Sequence, residues 1–363
     1  METRKRQSRG FTLVELLVVI TIIGILVGLI TVAAIGALKA AREAEIKAEI
    51  NQIDTGFMEY KNKTTAFPPN CQTDGSGANN PISERDVLTD VKRHMQQVAG
   101  RSQEPPELIA RLAGLTPLGA QLSPSDGGLQ GGMTAGEAVV FWLGGFSTDP
   151  KYPISGEGGP SYPIQAMGQP ENRTLDPIEN RNWVFPADVG RLQPRGDDGY
   201  FDESQGRFIE YQIRINGVVQ WRRINFWQYV PRKSGQPYLY FDTSRHPAYD
   251  VTSGLPPSRF DPPAATDLAA TPLHVHAFKK INQTTGTNAP PIQFVDPEKF
   301  QVIHCGLDEA WGENAFERMS AHSVMPPDDP ASYLLFPTGP FGDEIADTIV
   351  NFTTERRVED AVP

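Results

Sequence analysis

A single carboxylate near the start of a long apolar run is the feature of this sequence best suited to specific chemistry. Glu15 is the only charged residue between Leu13 and Leu38. A helix over that segment would be roughly 39 Å long, which is enough to cross a bilayer with some tilt. A carboxylate inside hydrocarbon costs about 2.5–3.5 kcal/mol if it stays unpaired. Glu15 must therefore either meet a cationic partner or extend to the lipid headgroups.

The residues before the apolar run form a short basic leader that ends in a glycine. Gly10 ends the leader, and Phe11 opens the apolar run. The basic residues that precede them are Arg4, Lys5, Arg6 and Arg9. An ordinary secretory signal peptide has a shorter apolar core, and its small-residue cleavage site comes after that core. Because the small residue comes first here, cleavage after Gly10 would leave the whole apolar helix on the mature protein.

The segment from Gly10 to Glu15 reads Gly-Phe-Thr-Leu-Val-Glu, and it resembles the signature of the type IV pilin and type II secretion pseudopilin family. The resemblance implies that a prepilin peptidase/methyltransferase cuts after Gly10 and N-methylates Phe11. It also implies that Glu15 helps to bring the subunit into a growing helical filament. The α-amino group at Phe11 of a neighbouring subunit could neutralise Glu15, because methylation leaves that amine cationic. The alternative is that Glu15 only extends to the cytoplasmic headgroups.

The same resemblance implies a location and a set of partners. The protein would be a single-pass protein of the inner (cytoplasmic) membrane, with its N-terminus in the cytoplasm and its head outside it. Basic residues flank both ends of the span, so the charge distribution alone does not fix this orientation. The implied partners are the peptidase, other pilin or pseudopilin subunits, an inner-membrane assembly platform and the lipid bilayer.

Two glycines within the apolar run are candidate assembly residues. Gly24 and Gly28 are separated by three residues, a spacing that lets two membrane helices approach closely. Glycine is also common in membrane helices without such a role. Both interpretations stay open at this stage.

The helix is expected to continue beyond the membrane as an amphipathic segment. Apolar residues recur there at alternating steps of four and three, which makes one apolar face. These residues are Ile46, Ile50, Ile53, Phe57 and Tyr60. Glu49 falls among the charged residues that would occupy the other, polar positions. The pattern predicts a helix that runs to about Lys61, before Phe67-Pro68-Pro69.

These segments predict an α+β, pilin-like fold in which a long helical stem packs on an antiparallel β-sheet head. The expected divisions are a cleaved leader (1–10), a transmembrane and assembly half of the stem (11–38), an amphipathic half (39–63) and an extracytoplasmic head (64–363). Within the head, we expect a helical insertion over about 82–145 and a sheet region over about 200–355. In the insertion, the Thr-x-x-Glu spacing of Thr134 and Glu137 predicts a capping box at the start of a short apolar helix. The 33 glycines and 32 prolines predict long loops.

The clearest strand signal is a hairpin around Asn216-Gly217, the preferred pair for a type I′ turn. The flanking segments Arg207–Ile215 and Val218–Phe226 are rich in β-branched and aromatic residues. A two-residue loop would place Glu210 opposite Arg223, which is a favourable charge pair.

The C-terminal part, from Phe300 to Phe352, is similar to the C-terminal strand and acidic loop of the type II major pseudopilins. In those proteins the loop binds calcium, so the resemblance implies Ca²⁺ as a cofactor. The candidate ligands are Asp308, Asp343 and Asp347, whose carboxylates are the hard oxygen ligands that calcium prefers. Their spacing is not that of an EF-hand loop, and the alternative is a solvated acidic loop.

The chain contains only two cysteines, Cys71 and Cys305. Outside the cytoplasm they could form a disulfide that ties the loop after the stem to the C-terminal strand. The alternative is a pair of buried thiols, and spacing in the sequence leaves both options open.

The net charge of −11 argues against a nucleic-acid-binding head. The sequence contains no nucleophile, zinc-protease, phosphate-loop or dinucleotide-binding motif. These absences argue against an enzyme. The family resemblance implies a structural subunit of a type II secretion pseudopilus or a type IV pilus-like filament. The alternatives are a minor pilin or adhesin whose enlarged head binds a ligand, and an enzyme tethered outside the cytoplasm by the N-terminal helix.

Overall fold

The structure is a computed structural model that describes residues 12–69, 71, 84–118, 129, 132–166, 176–244, 248–249, 277–281, 292–296, 298–311, 336–337, 343–354 and 357–361. The chain divides into two compact units, Met1–Glu45 and Ile46–Pro363. A long N-terminal helix followed by antiparallel sheets confirms the predicted α+β, pilin-like class.

The described part of the first unit is helical, and it forms the beginning of helix α1 (Leu13–Thr64). The side chains from Leu13 to Leu38 are all exposed. The hydroxyl groups of the two threonines in this segment are hydrogen-bonded within the helix. Thr21 and Thr31 donate to the carbonyl oxygens of Leu17 and Val27 at 2.8 and 2.7 Å. Among the described residues, α1 is the one helix long and apolar enough to cross a membrane.

The second unit contains the rest of α1 and, among the described residues before the first strand, three further helices. The predicted apolar face of α1 is confirmed, since Ile50, Ile53 and Phe57 are fully buried. The helices that follow are α2 (Glu84–Val98), α3 (Pro106–Leu112) and α4 (Ala135–Leu143). Helix α4 begins with the Thr134–Glu137 capping box that its sequence predicts, and every residue of α4 is buried.

Eleven short strands are described in the second unit, and they pair antiparallel in four small sheets. The strands are β1 (Tyr162–Ile164), β2 (Leu192–Gln193), β3 (Arg207–Ile215), β4 (Val218–Phe226), β5 (Gln228–Tyr229), β6 (Leu239–Asp242), β7 (Ala248–Tyr249), β8 (Lys279–Ile281), β9 (Ile292–Phe294), β10 (Phe300–His304) and β11 (Ile349–Val350). The sheet orders are β1-β4-β3, β11-β10-β6, β2-β5 and β7-β9-β8. A short helix, α5 (Asp343–Ala346), precedes β11, and 3₁₀ turns cover Pro177–Asn180, Val189–Arg191 and Glu359–Ala361.

The β3–β4 hairpin has the predicted bounds and register. Asn216 and Gly217 have φ values of 50° and 84°, as a type I′ turn requires. Glu210 lies opposite Arg223, and the Oε1 and Nη1 atoms of this buried pair are 3.4 Å apart. The local turn signal was sufficient to fix this register, because a two-residue loop leaves only one pairing.

The β11-β10-β6 sheet has a hydrophobic cluster on each face. The first cluster joins Phe57 of α1 and helices α2–α4 to one face of the sheet, which includes Tyr240. The second cluster contains Leu239 and Ile303 from the opposite face. This division follows from the two-residue period of a strand. The stem is held to the first face by direct stacking, since the rings of Phe57 and Tyr240 are 4.0 Å apart and tilted by only 20°.

A buried carboxylate on α1 is the main departure from the predicted stem. Glu49 was expected on the polar face, but it is 9 % exposed and accepts hydrogen bonds from both terminal nitrogens of Arg191 and from the hydroxyl of Tyr238. Arg191 also donates to the carbonyl oxygen of Val230 at 2.9 and 2.8 Å and lies 4.5 Å from the centre of the Tyr229 ring. Burial, and then the Glu49 carboxylate, raise the pKa of Tyr238. The polar group is buried because its partners satisfy it.

We predict that Glu49→Gln destabilises the second unit strongly. The side chains of Glu49 and Arg191 are 12 % and 11 % exposed, so the variant leaves the guanidinium buried without a counter-charge. The expected loss is about 3–5 kcal/mol in the free energy of unfolding. Urea unfolding of the full chain in detergent micelles measures it. Glu59→Gln on the same helix is the control, because the Glu59–Lys63 pair is exposed and should contribute less than about 1 kcal/mol. Equal urea midpoints for the two variants would contradict the prediction.

A buried histidine lies on β10. The Gly306 N–H donates to Nδ1 of His304 at 3.1 Å, so the ring hydrogen is on Nε2, which lies 3.2 Å from the Gln236 carbonyl oxygen. Burial lowers the pKa of His304 to about 4. An imidazolium here would also turn a second N–H toward the Gly306 N–H, so the ring is neutral in the folded protein.

We predict that His304 weakens the protein as the pH falls from 7 to 5. The unfolded chain binds a proton at this residue below about pH 6.5, whereas the folded chain does so only near its pKa of about 4. The free energy of unfolding should therefore fall by about 2 kcal/mol over this interval through His304 alone. Urea unfolding of the wild type and His304→Gln at both pH values isolates the effect. The prediction is wrong if the two proteins lose equal stability.

Candidate functional site at the start of the long helix

Helix α1 begins with a reciprocal set of hydrogen bonds between two residues. The backbone N–H and the hydroxyl of Thr12 both donate to Oε2 of Glu15, at 2.9 and 2.8 Å. The backbone N–H of Glu15 donates back to the hydroxyl oxygen of Thr12 at 3.2 Å. This arrangement is a capping box, and it satisfies N–H groups that have no carbonyl partner within the helix.

The capping box determines where the Glu15 carboxylate lies. It holds the carboxylate against the first helical turn, where the partial positive charge of the helix N-terminus favours an anion. Both Thr12 donors share Oε2, which leaves Oε1 able to accept from a cationic group. Thr12 is the residue that the sequence-based prediction omitted, although the Thr-x-x-Glu spacing is a recognisable signal for this box.

The predicted processing residues adjoin the capping box in the sequence. Gly10 and Phe11 lie outside the described residues, so cleavage after Gly10 and methylation of Phe11 stay predictions. The role of Glu15 in assembly also stays a prediction, while its position in the capping box is now defined.

The glycine spacing within α1 faces open space in this chain. Among the described residues, and apart from the neighbouring backbone of the helix itself, a Cβ atom built at Gly24 or Gly28 would have no atom within 4 Å. The apolar residues around them are also exposed, with Ile25 at 60 % and Val27 at 55 %. The helix surface is therefore open to lipid or to another helix, and both interpretations of the glycine pair stay open.

The predicted calcium ligands are described in part. Asp308 is exposed, and Asp343 is described only by its backbone, as the first residue of α5. Both oxygens of Asp347 are engaged, by the Leu307 N–H at 2.6 Å and by the Arg357 guanidinium at 2.8 Å. Within the described ranges, no group of three or more His, Cys, Asp or Glu side chains is arranged to hold a metal ion. Calcium binding stays a prediction.

The structure distinguishes between the two options that the sequence left open for the cysteines. Cys71 and Cys305, both within the described residues, are buried thiols, and no bond joins them. Cys71 belongs to the first hydrophobic cluster and Cys305 to the second, which lies on the other face of the β11-β10-β6 sheet. Burial raises the pKa of the Cys305 thiol. The alternative of two buried thiols is the arrangement that the structure shows.

Residues 5–31 match a family model described as the prokaryotic N-terminal methylation motif. No curated protein and no solved structure matches the chain. The motif indicates a type IV pilin-like precursor, which implies processing by a prepilin peptidase and assembly with other pilins. It suggests a structural subunit rather than an enzyme. Together with the apolar helix α1, it fits a membrane-anchored, single-pass protein.

We predict that Thr12→Ala loosens the first turn of α1. Loss of an N-cap hydroxyl costs about 1 kcal/mol, which corresponds to roughly fivefold faster hydrogen exchange at the first-turn amides. Exchange of the full chain in detergent micelles measures this, and Thr12→Ser should retain the wild-type rate. Thr21→Ala is the matched control, because the Thr21 hydroxyl donates to a carbonyl inside the helix. Unchanged exchange in Thr12→Ala would show that the capping box does not hold the turn.

Proposed function

We propose that this chain is the precursor of a filament subunit, either of a type II secretion pseudopilus or of a type IV pilus-like filament. A prepilin peptidase/methyltransferase cuts it after Gly10 and N-methylates Phe11, and the mature subunits assemble through α1. The observation that carries the proposal is the methylation motif over residues 5–31, together with the exposure of every apolar side chain of α1 over residues 13–38.

The exposure of α1 supports this proposal physically. Large apolar side chains from Leu13 to Leu38 are 46–79 % exposed in the chain alone, and water does not tolerate so continuous an apolar surface. Lipid can cover it before assembly, and the same helices of other copies can cover it afterwards. One surface thus serves both as a membrane anchor and as an assembly interface.

The position of the Glu15 carboxylate, at the N-terminal end of this apolar surface, also supports the proposal. The capping box presents Oε1 at the beginning of the helix, beside the sequence position where cleavage would create a new α-amino group. That amine, at Phe11 of an adjacent subunit, is a cation of the right charge to neutralise the carboxylate in a low-dielectric environment.

The compartment and the divisions of the chain follow from the same proposal. The N-terminus lies in the cytoplasm, α1 crosses the inner membrane, and the head stands outside the cytoplasm. Residues 1–10 are removed, residues 11–38 and 39–63 form the two halves of the stem, and residues 64–363 form the head. The subunit works with an inner-membrane assembly platform.

A specialised head is the second candidate. Helices α2, α3 and α4 lie in the sequence between the stem and the sheets, and they add to the first hydrophobic cluster rather than extending any sheet. Such an addition favours a minor subunit or adhesin, in which the head binds a ligand, over a minimal filament subunit.

We predict that Glu15→Ala blocks assembly but permits processing. Removing the carboxylate leaves a cationic amine unpaired in the membrane, a cost of about 2.5–3.5 kcal/mol, or roughly a hundredfold loss of assembled subunit. The N-terminal residue and intact mass of protein purified from its own membranes, together with the sheared filament fraction, measure the two steps. Wild type and Glu15→Ala should both begin at Phe11 with one added methyl group.

Two further variants complete this experiment. Gly10→Val should prevent cleavage, and Glu59→Ala, which removes an exposed carboxylate from the same helix, should assemble like wild type. An intact Met1 in the wild-type protein, or a cut beyond Leu38, would overturn the processing step. Filaments of Glu15→Ala at the wild-type level would overturn the role of the carboxylate.

A further inference from the structure

The C-terminal segment pairs with β11, the strand at the edge of the β11-β10-β6 sheet. Arg357 forms an antiparallel bridge with Ile349 of β11, and the Val358 N–H donates to the Thr348 carbonyl oxygen at 3.0 Å. The side chain of Val358 is fully buried in the second hydrophobic cluster. Backbone pairing and burial therefore fix Arg357 beside the turn between α5 and β11.

Asp347 lies in that turn and connects three segments of the chain. Its Oδ2 accepts from the Leu307 N–H at 2.6 Å, and its Oδ1 accepts from Nη2 of Arg357 at 2.8 Å. Gly306 makes this approach possible, because its φ is +98° and a Cβ at this position would lie 2.4 Å from Oδ2 of Asp347. The loop after β10 therefore packs directly against the Asp347 carboxylate.

A second carboxylate lies on the same guanidinium. Nη2 of Arg357 is 2.6 Å from Oε1 of Glu359 and 2.8 Å from Oδ1 of Asp347. The arginine side chain is 23 % exposed and that of Asp347 is 17 % exposed, so water screens the pair only in part. The guanidinium bridges two carboxylates that would otherwise repel each other, and it offsets one of their two negative charges.

A divalent cation does not fit this donor set. Calcium takes six to eight oxygen ligands. Among the described residues, no three His, Cys, Asp or Glu side chains are grouped so that they could hold a metal ion. A calcium ion bound to Asp347 would also lie next to the permanent positive charge of Arg357. The two cations would compete for the same carboxylate.

We propose that the Arg357 guanidinium takes the place of a divalent cation at Asp347, so that the C-terminal part of the head folds without calcium. The arginine supplies the positive charge, the planar donor group and the link to Glu359 from within the chain. This proposal does not depend on filament assembly, and it opposes the calcium site implied by the sequence resemblance.

Thermal unfolding of the full chain in detergent micelles tests the metal independence. We expect the same Tm in EDTA and in millimolar CaCl₂. A Tm that is higher in CaCl₂ than in EDTA would overturn the proposal.

Variants of the arginine test its role directly. Arg357→Gln should lower the Tm by about 2–6 °C, and Arg357→Lys should lower it less, because lysine keeps the charge but not the planar donors. Arg232→Gln removes the same charge from an exposed side chain that pairs with Asp188 at 3.6 Å, and it should leave the Tm unchanged. A wild-type Tm in Arg357→Gln would overturn the proposal. If Arg357→Gln does not fold, a wild-type Tm in Arg357→Lys would overturn the role of the planar donors.

Discussion

The buried ion pair between Glu49 and Arg191 fixes how the stem helix sits within the second unit. An apolar helix face gains free energy from burial, but neighbouring registers of such a face bury similar areas. A buried carboxylate opposes such a shift, because moving it by one turn would separate the Glu49 and Arg191 charges and remove the acceptor of the Tyr238 hydroxyl. The stacking of Phe57 on Tyr240 and the burial of Ile53 then follow in the register that the ion pair sets.

Sequence reasoning succeeded where the signal is local. The apolar face of α1 follows from steps of three and four, the start of α4 from a Thr-x-x-Glu box, and the β3–β4 register from Asn216-Gly217. Each signal lies within a few residues of the structure that it predicts, and each reports a backbone preference. The Thr12–Glu15 box has the same Thr-x-x-Glu spacing as the box at Thr134, so the sequence could have predicted it in the same way.

Sequence reasoning failed where the deciding partner is distant. Glu49 adjoins Ile50 and resembles a boundary position of an amphipathic helix, and its partners Arg191 and Tyr238 lie 142 and 189 positions further along the chain. The spacing of the two cysteines likewise did not decide between a disulfide and two thiols. Cys71 packs in the first cluster, and Cys305, directly after β10, packs in the second. Whether such a side chain is buried, and which group it pairs with, depends on residues that are distant in the sequence. Residue types and spacing near that side chain do not indicate those partners.

The two units differ in how their charged and apolar side chains are accommodated. In the second unit, buried charges such as Glu49 and Arg223 have partners from the same chain, and the apolar clusters are closed within it. In the first unit, the described apolar side chains over residues 13–38 are exposed. Under the proposed function, a subunit that leaves lipid and enters a filament needs this division, because only the surface of α1 has to change its surroundings. The head can keep every internal contact during that transfer, and the free energy of assembly then depends on α1 and on the charge at its beginning.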